Sequence, residues 1–140
     1  MTPSDRMQAT AECRDLSVAF ANHMDARRYD KLAALFAPEG VFERAGKPVV
    51  GPAAIQAEMA KRPADMVTLH VCTNILVEPT DADHATGETY YLVVKHDNAA
   101  GKGPFPLTGL ETVGVFYDKY VRTGAGWRIA ERKATRVFAK

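Results

Sequence analysis

Val67 to Pro79 reads VTLHVCTNILVEP, and the reading of this stretch decides the fold. Its β-branched and aliphatic residues suit an extended, partly buried strand. It also marks where the chain changes from helical spacing to alternation with period two. At its centre sits an imidazole, His70, followed by Asn74. Two explanations stand at this point. Either one face of the strand looks into a polar-tipped pocket, or His70 is a core histidine satisfied by a neighbour.

Upstream, Thr2-Pro3-Ser4-Asp5 has the makings of a helix start: a Thr cap, Pro at the first helical position and an acid closing the box. Ala9, Cys13, Leu16, Phe20 and Met24 then recur at steps of three or four, the apolar stripe of a helix packed on one side. Asp25 is placed to cap a second, shorter helix with Tyr29, Leu32, Ala33 and Phe36 on its face, ended by Pro38-Glu39-Gly40. A short strand is expected at Val41–Arg44, closed by Ala45-Gly46-Lys47-Pro48. Gly51-Pro52 opens a third helix through Ile55 and Met59, which Pro63 stops.

Downstream, long strands are expected at about 66–78, 83–97, 107–122 and 127–138. Their breaks are Pro79-Thr80-Asp81, Asn98 through Pro106, and Thr123-Gly124-Ala125-Gly126. Three helices followed by consecutive hairpins predict an α+β fold, a single domain over 1–140 with helices on one face of a curved antiparallel sheet. No repeat, linker or low-complexity tract interrupts it.

Composition narrows the function classes. With 46% hydrophobic and 25% charged residues the chain reads as soluble and globular, and 140 residues suffice for a substantial core. A formal net charge of +1 gives no electrostatic reason to expect nucleic acid or an anionic membrane as partner. No apolar run approaches the ~20 residues of a membrane-spanning helix. MTPSDRMQAT lacks the apolar core of a signal peptide, so a cytoplasmic location is expected. Cys13 and Cys72 lie in apolar settings and suit buried, reduced thiols. GKGPFP lacks the pattern of a phosphate-binding loop, and His23, His70, His84 and His96 lack metal-ligand spacing.

Three segments together carry a family resemblance: FANHMDARRYDKLAALF (20–36) with APEGVF after it, Val50-Gly51-Pro52-Ala53-Ala54-Ile55, and Thr68-Leu69-His70-Val71 with Asn74. In this order they resemble the nuclear transport factor 2-like superfamily, within it the polyketide cyclase (SnoaL-like) group near scytalone dehydratase and ketosteroid isomerase. The resemblance implies three helices on a sheet strongly curved into a cone, whose interior takes a hydrophobic cyclic or polyketide-like molecule. It also implies a homodimer paired through the sheet. Such relatives work without metal or nucleotide, so no cofactor is expected.

Carried over residue by residue, the resemblance makes Asp25 and His70 the catalytic candidates. His70 matches a histidine that removes a proton in the dehydratases, and Asp25 the acid that orients it, which an N-cap would explain as well. Glu43 falls where the isomerases carry an aspartate base, or is a solvated strand-end acid. His96 falls near a second dehydratase histidine, one residue out of register, or is a polar turn residue. With Asn74 these make candidate substrate contacts, beside an apolar wall of Phe20, Phe36, Phe42, Leu92 and Phe116. The dehydratases' substrate-holding tyrosines are replaced by Met24 and Arg44. Arg128, Arg132 and Arg136 alternate along the last strand and suit a solvated or subunit-facing edge, or an anion site. Two functions remain: a cofactor-independent lyase or isomerase, and a non-catalytic ligand-binding or assembly module like a dioxygenase β subunit.

Overall fold

A computed structural model describes all 140 residues. Its elements are α1 (Pro3–Asp25), α2 (Tyr29–Ala33), β1 (Phe36–Arg44), β2 (Lys47–Val50), α3 (Pro52–Met59), β3 (Val67–Pro79), β4 (His84–His96), β5 (Thr112–Thr123) and β6 (Gly126–Ala139). No helix is long and apolar enough to cross a membrane. The Thr2–Asp5 capping box forms as expected: each residue's side chain accepts from the other's backbone N–H at 3.0 Å. Ala9, Cys13, Leu16, Phe20 and Met24 are all buried along α1, and Ile55 and Met59 are fully buried on α3.

The six strands form one curved sheet in the order β2-β1-β6-β5-β4-β3. All neighbours are antiparallel except β1 and β6, which run parallel. That pair departs from the antiparallel expectation, because it joins residues about ninety positions apart and leaves no local signal. α1 packs across β3 and β6, covering the inner face. Between sheet and helix, the Phe20 ring meets Phe36, Phe42 and Phe116 edge-on at 6.1, 5.2 and 5.6 Å. Such contacts each add about 0.5–1.5 kcal/mol beyond burial.

Several boundaries differ from the expectation. The second helix is only Tyr29–Ala33, and Arg28, not Asp25, is its N-cap residue. Phe36 opens β1, with Pro38-Glu39-Gly40 inside that strand. Ala45 and Gly46, at φ 51° and 73°, form a two-residue hairpin turn into β2, an element the sequence did not announce. β5 begins at Thr112 rather than 107.

Bulges decide which side chains face inward. In β3 the ladder slips between Thr73 and Leu76, with Asn74 at φ 50°. In β6 Ala130 is the extra residue, since Tyr120 pairs with Ile129 and Lys119 with Glu131. A plain count would put Arg128 and Arg132 on one face. The Ala130 bulge turns Arg132 inward, where it is fully buried.

Candidate active site

Alternation along β3 before its bulge sends Thr68, His70 and Cys72 to the inner face and Leu69 and Val71 to the outer one. α1 ends at Asp25 directly above them. An acid at a helix C-terminus opposes the macrodipole, so local propensity does not explain it. Its hydrogen bonds do. His70 Nδ1 lies 2.6 Å from Asp25 Oδ1, the His70 backbone N–H donates to Oδ2 at 2.6 Å, and the Thr68 hydroxyl donates to Oδ1 at 2.9 Å.

Burial opposes ionisation of Asp25, but hydrogen bonds from the His70 ring, the His70 amide and Thr68 outweigh it and hold the carboxyl below its usual range. An ionised carboxylate only accepts, which assigns the ring proton to Nδ1 and leaves Nε2 as the bare acceptor of the neutral imidazole. Nε2 makes no hydrogen bond within the chain and is not sealed from solvent. The two side chains are 11% and 10% exposed, enough for a small molecule to reach and too little for bulk water to surround.

Arg62 anchors this pair from the segment after α3. It donates to Thr68 Oγ1 at 2.8 Å, to the Met24 carbonyl at 2.9 Å and to the Tyr29 hydroxyl at 3.0 Å. One guanidinium thereby holds the end of α1, the start of α2 and the hydroxyl that supports Asp25.

On the inner face of the sheet, reaching Val93 on the strand next to His70, lies a cavity of about 400 Å³. Its floor comes from the inner face of the sheet: Tyr91, Val93, Thr112 and Ala134, with Val49 from β2. His70 itself is not part of the wall; Val93, which is, is its cross-strand partner. The Tyr91 ring lies where Gly114 leaves space, since a Cβ there would meet Tyr91 at 2.5 Å. It stacks on Phe116 at 4.2 Å. A hollow of about 350 Å³ on the outer face, where Leu76 and Tyr117 sit among Glu78, Glu88, Lys119 and Lys133, shares no residue with the Asp25–His70 pair.

Deeper in the cone, Arg132 Nε and Nη2 donate to the two Asp118 oxygens at 2.7 and 2.8 Å, and Nη2 also to Ser17 at 2.6 Å. The guanidinium lies 4.5 Å from the Phe20 centroid and 4.3 Å from that of Phe116. Its Nη1 is buried without a partner. Burial pushes the Cys13 thiol up to about 12 and raises Cys72 too, so neither is a thiolate nucleophile at neutral pH. No three His, Cys, Asp or Glu side chains cluster in the manner of metal ligands.

The other candidates fall elsewhere. Asn74 occupies the β3 bulge, exposed, its amide oxygen accepting from Thr73; the bulge breaks the alternation that would have aligned it with His70. Glu43 alternates with the inward Phe42 and Arg44 and so faces away from the cavity. β4 carries no bulge between Val93 and His96, so His96 points outward and stacks on Phe105 at 5.1 Å. Leu92 is on that same outer face. Phe20, Phe36, Phe42 and Phe116 fill the core against one another instead of walling the cavity. Thr68, Arg62, Tyr91 and Arg132 were missed as site residues. Alternation from His70 would have placed Thr68 beside it, but nothing in the sequence ties Arg62 to the end of α1.

A family model described as a SnoaL-like domain matches residues 5–133. No curated protein matches the sequence. Among solved structures, a hexachlorocyclohexane dehydrochlorinase (LinA) Type2 is similar, at TM-score 0.82 and 19% identity, over 98% of this chain and 90% of that one. ActVI-ORFA from Streptomyces coelicolor superimposes at 0.74 with 21% identity, over 91% and 96%. A nuclear transport factor 2-like protein with a cystatin-like fold from Novosphingobium aromaticivorans does so at 0.78 with 23% identity, over 96% and 85%. At these identities the likeness is one of fold.

Proposed function

This chain belongs to the SnoaL-like domain family, and from that premise we propose that it is a cofactor-independent lyase or isomerase acting on a small cyclic molecule. The observation that carries the reading is the 2.6 Å contact between His70 Nδ1 and Asp25 Oδ1, with Nε2 unpartnered and a cavity of about 400 Å³ that reaches Val93 on the neighbouring strand. Nε2 takes a proton from a substrate carbon acidified by a neighbouring carbonyl or leaving group. The resulting imidazolium is held by the Asp25 carboxylate. His70 then returns the proton to an adjacent carbon, or to a departing oxygen if a bond breaks. A cavity of this volume suits a ligand of one or two fused rings.

The test is solvent deuterium exchange into a set of enolisable bicyclic ketones, followed by NMR. The wild type should accelerate exchange, and His70→Gln should lower the acceleration by about 10²–10⁴-fold, the usual share of a general base. Gln retains the backbone donor to Asp25, so the melting temperature checks the fold separately. Equal exchange by a folded His70→Gln protein would end this reading.

A second reading, assembly through the sheet, is favoured by one observation. Val71, Leu92, Val113 and Phe138 form a continuous cross-strand row on the outer face, with Val71 54% and Phe138 68% exposed. Such a row suits a second copy of the chain, and pairing there leaves the inner cavity open.

A further inference from the structure

The mouth of the cavity is built from cations. Arg44 and Lys47, flanking the β1–β2 turn, and Arg136 on β6 all line it; none of these side chains donates a hydrogen bond or forms an ion pair, and the Arg44 guanidinium rests 5.3 Å from the Phe42 ring centroid. The one acid there is Glu58, whose carboxyl is held below its usual range chiefly by a hydrogen bond from Lys61 at 2.9 Å. The opening therefore carries three positive side chains against one carboxylate, which Lys61 holds by a hydrogen bond while Arg44 and Lys47 act on it more weakly. Arg44 is exposed at the strand end yet partly desolvated, which lowers its basicity; Glu58 opposes that and the neighbouring Arg62 adds to it. Like charges gathered at one opening repel, and an anion between them removes that cost.

The inner wall is different in kind. Tyr91, Val93 and Ala134 offer an aromatic ring and aliphatic surface, without charge, next to the His70 strand. A guest that satisfies both regions has a flat apolar body and an anionic end. Two guanidinium groups favour a planar, bidentate acceptor, which is carboxylate geometry.

We propose that the substrate is a cyclic carboxylate, its ring on Tyr91 and Val93 and its carboxylate held at the mouth by Arg44 and Arg136, with Lys47 adding charge. The proposal rests on the proton-transfer reading for the word substrate, while the anion site stands on the cavity alone. The carboxylate fixes which ring carbon reaches His70, so charge at the mouth selects among molecules of similar shape.

The experiment titrates the protein with 2-naphthoate and with its neutral methyl ester, by calorimetry, at low and high salt. The acid should bind at least about tenfold more tightly than the ester, as expected for charge-assisted hydrogen bonds. Arg44→Gln and Arg136→Gln should each remove most of that preference and leave ester binding unchanged. Lys119→Gln, a cation on the outer face, should alter neither. Equal affinity for acid and ester, no binding of either, or an equal effect of Lys119→Gln would overturn the proposal. Selectivity for naphthoate with no loss of exchange in His70→Gln would sink the proton-transfer reading and leave the anion site standing. Exchange that depends on His70 without preference for the acid would do the reverse.

Discussion

Asp25 accepts three hydrogen bonds at the end of a helix whose dipole disfavours it there. The arrangement makes a pH prediction whose sign follows from the depressed carboxyl. A group with a lowered folded-state pKa contributes stability that is present above its unfolded value, about 3.9, and is lost as pH falls through the folded one. Urea unfolding from pH 3 to 7 should therefore find Asp25→Asn less stable than the wild type at neutral pH. The gap should shrink as pH drops below about 4. A gap that stays constant across that range would show that the charge of Asp25 is not what the network stabilises. Arg132 makes the same point with the opposite charge. Its cost of burial is offset by the bidentate Asp118 and two aromatic faces, and only the Ala130 bulge brings it to them.

Strands place these groups by alternation, and the alternation fails at the bulges. β3 keeps its register from Val67 to Thr73, so Thr68 and His70 fall on the inner face, and loses it at Asn74. β5 contributes an absence: Gly114 has no side chain, and the Tyr91 ring occupies the space. In Gly114→Ala the new Cβ would lie 2.3 Å from the Thr135 carbonyl and 2.5 Å from the Tyr91 hydroxyl and ring. Backbone cannot retreat that far at low cost, so Tyr91 must leave its stack on Phe116. A loss of about 1–3 kcal/mol is expected in denaturant unfolding, the usual range for overpacking. A change in the near-ultraviolet circular dichroism of tyrosine should accompany it. A variant of unchanged stability and spectrum would mean that the ring is not confined there.

As a whole, the molecule has two faces of different character. The inner one carries the dyad and the cavity; the outer one carries the row from Val71 to Phe138, with Leu69 64% exposed one rung away. Sedimentation of the wild type should show a dimer, and Val71→Glu, or Leu69→Glu, should shift it to monomer without altering the cavity. A wild type that sediments as a monomer at all concentrations would remove the assembly reading and leave the inner site untouched.

Sequence by itself determined the local order. The period of α1, the Thr2–Asp5 cap, the Gly51-Pro52 helix start and the change to alternation at Val67 each depend on residues within a few positions of one another. They were enough for the α+β class and for the SnoaL-like resemblance. Tertiary structure alone decided which side chains meet. A single extra residue at Asn74 or Ala130 inverts every later side chain, and whether a strand bulges depends on the partner it pairs with. The parallel seating of β1 on β6, the reach of Arg62 to the end of α1 and the outward turn of Glu43 and His96 all follow from contacts between distant segments, which no local periodicity records.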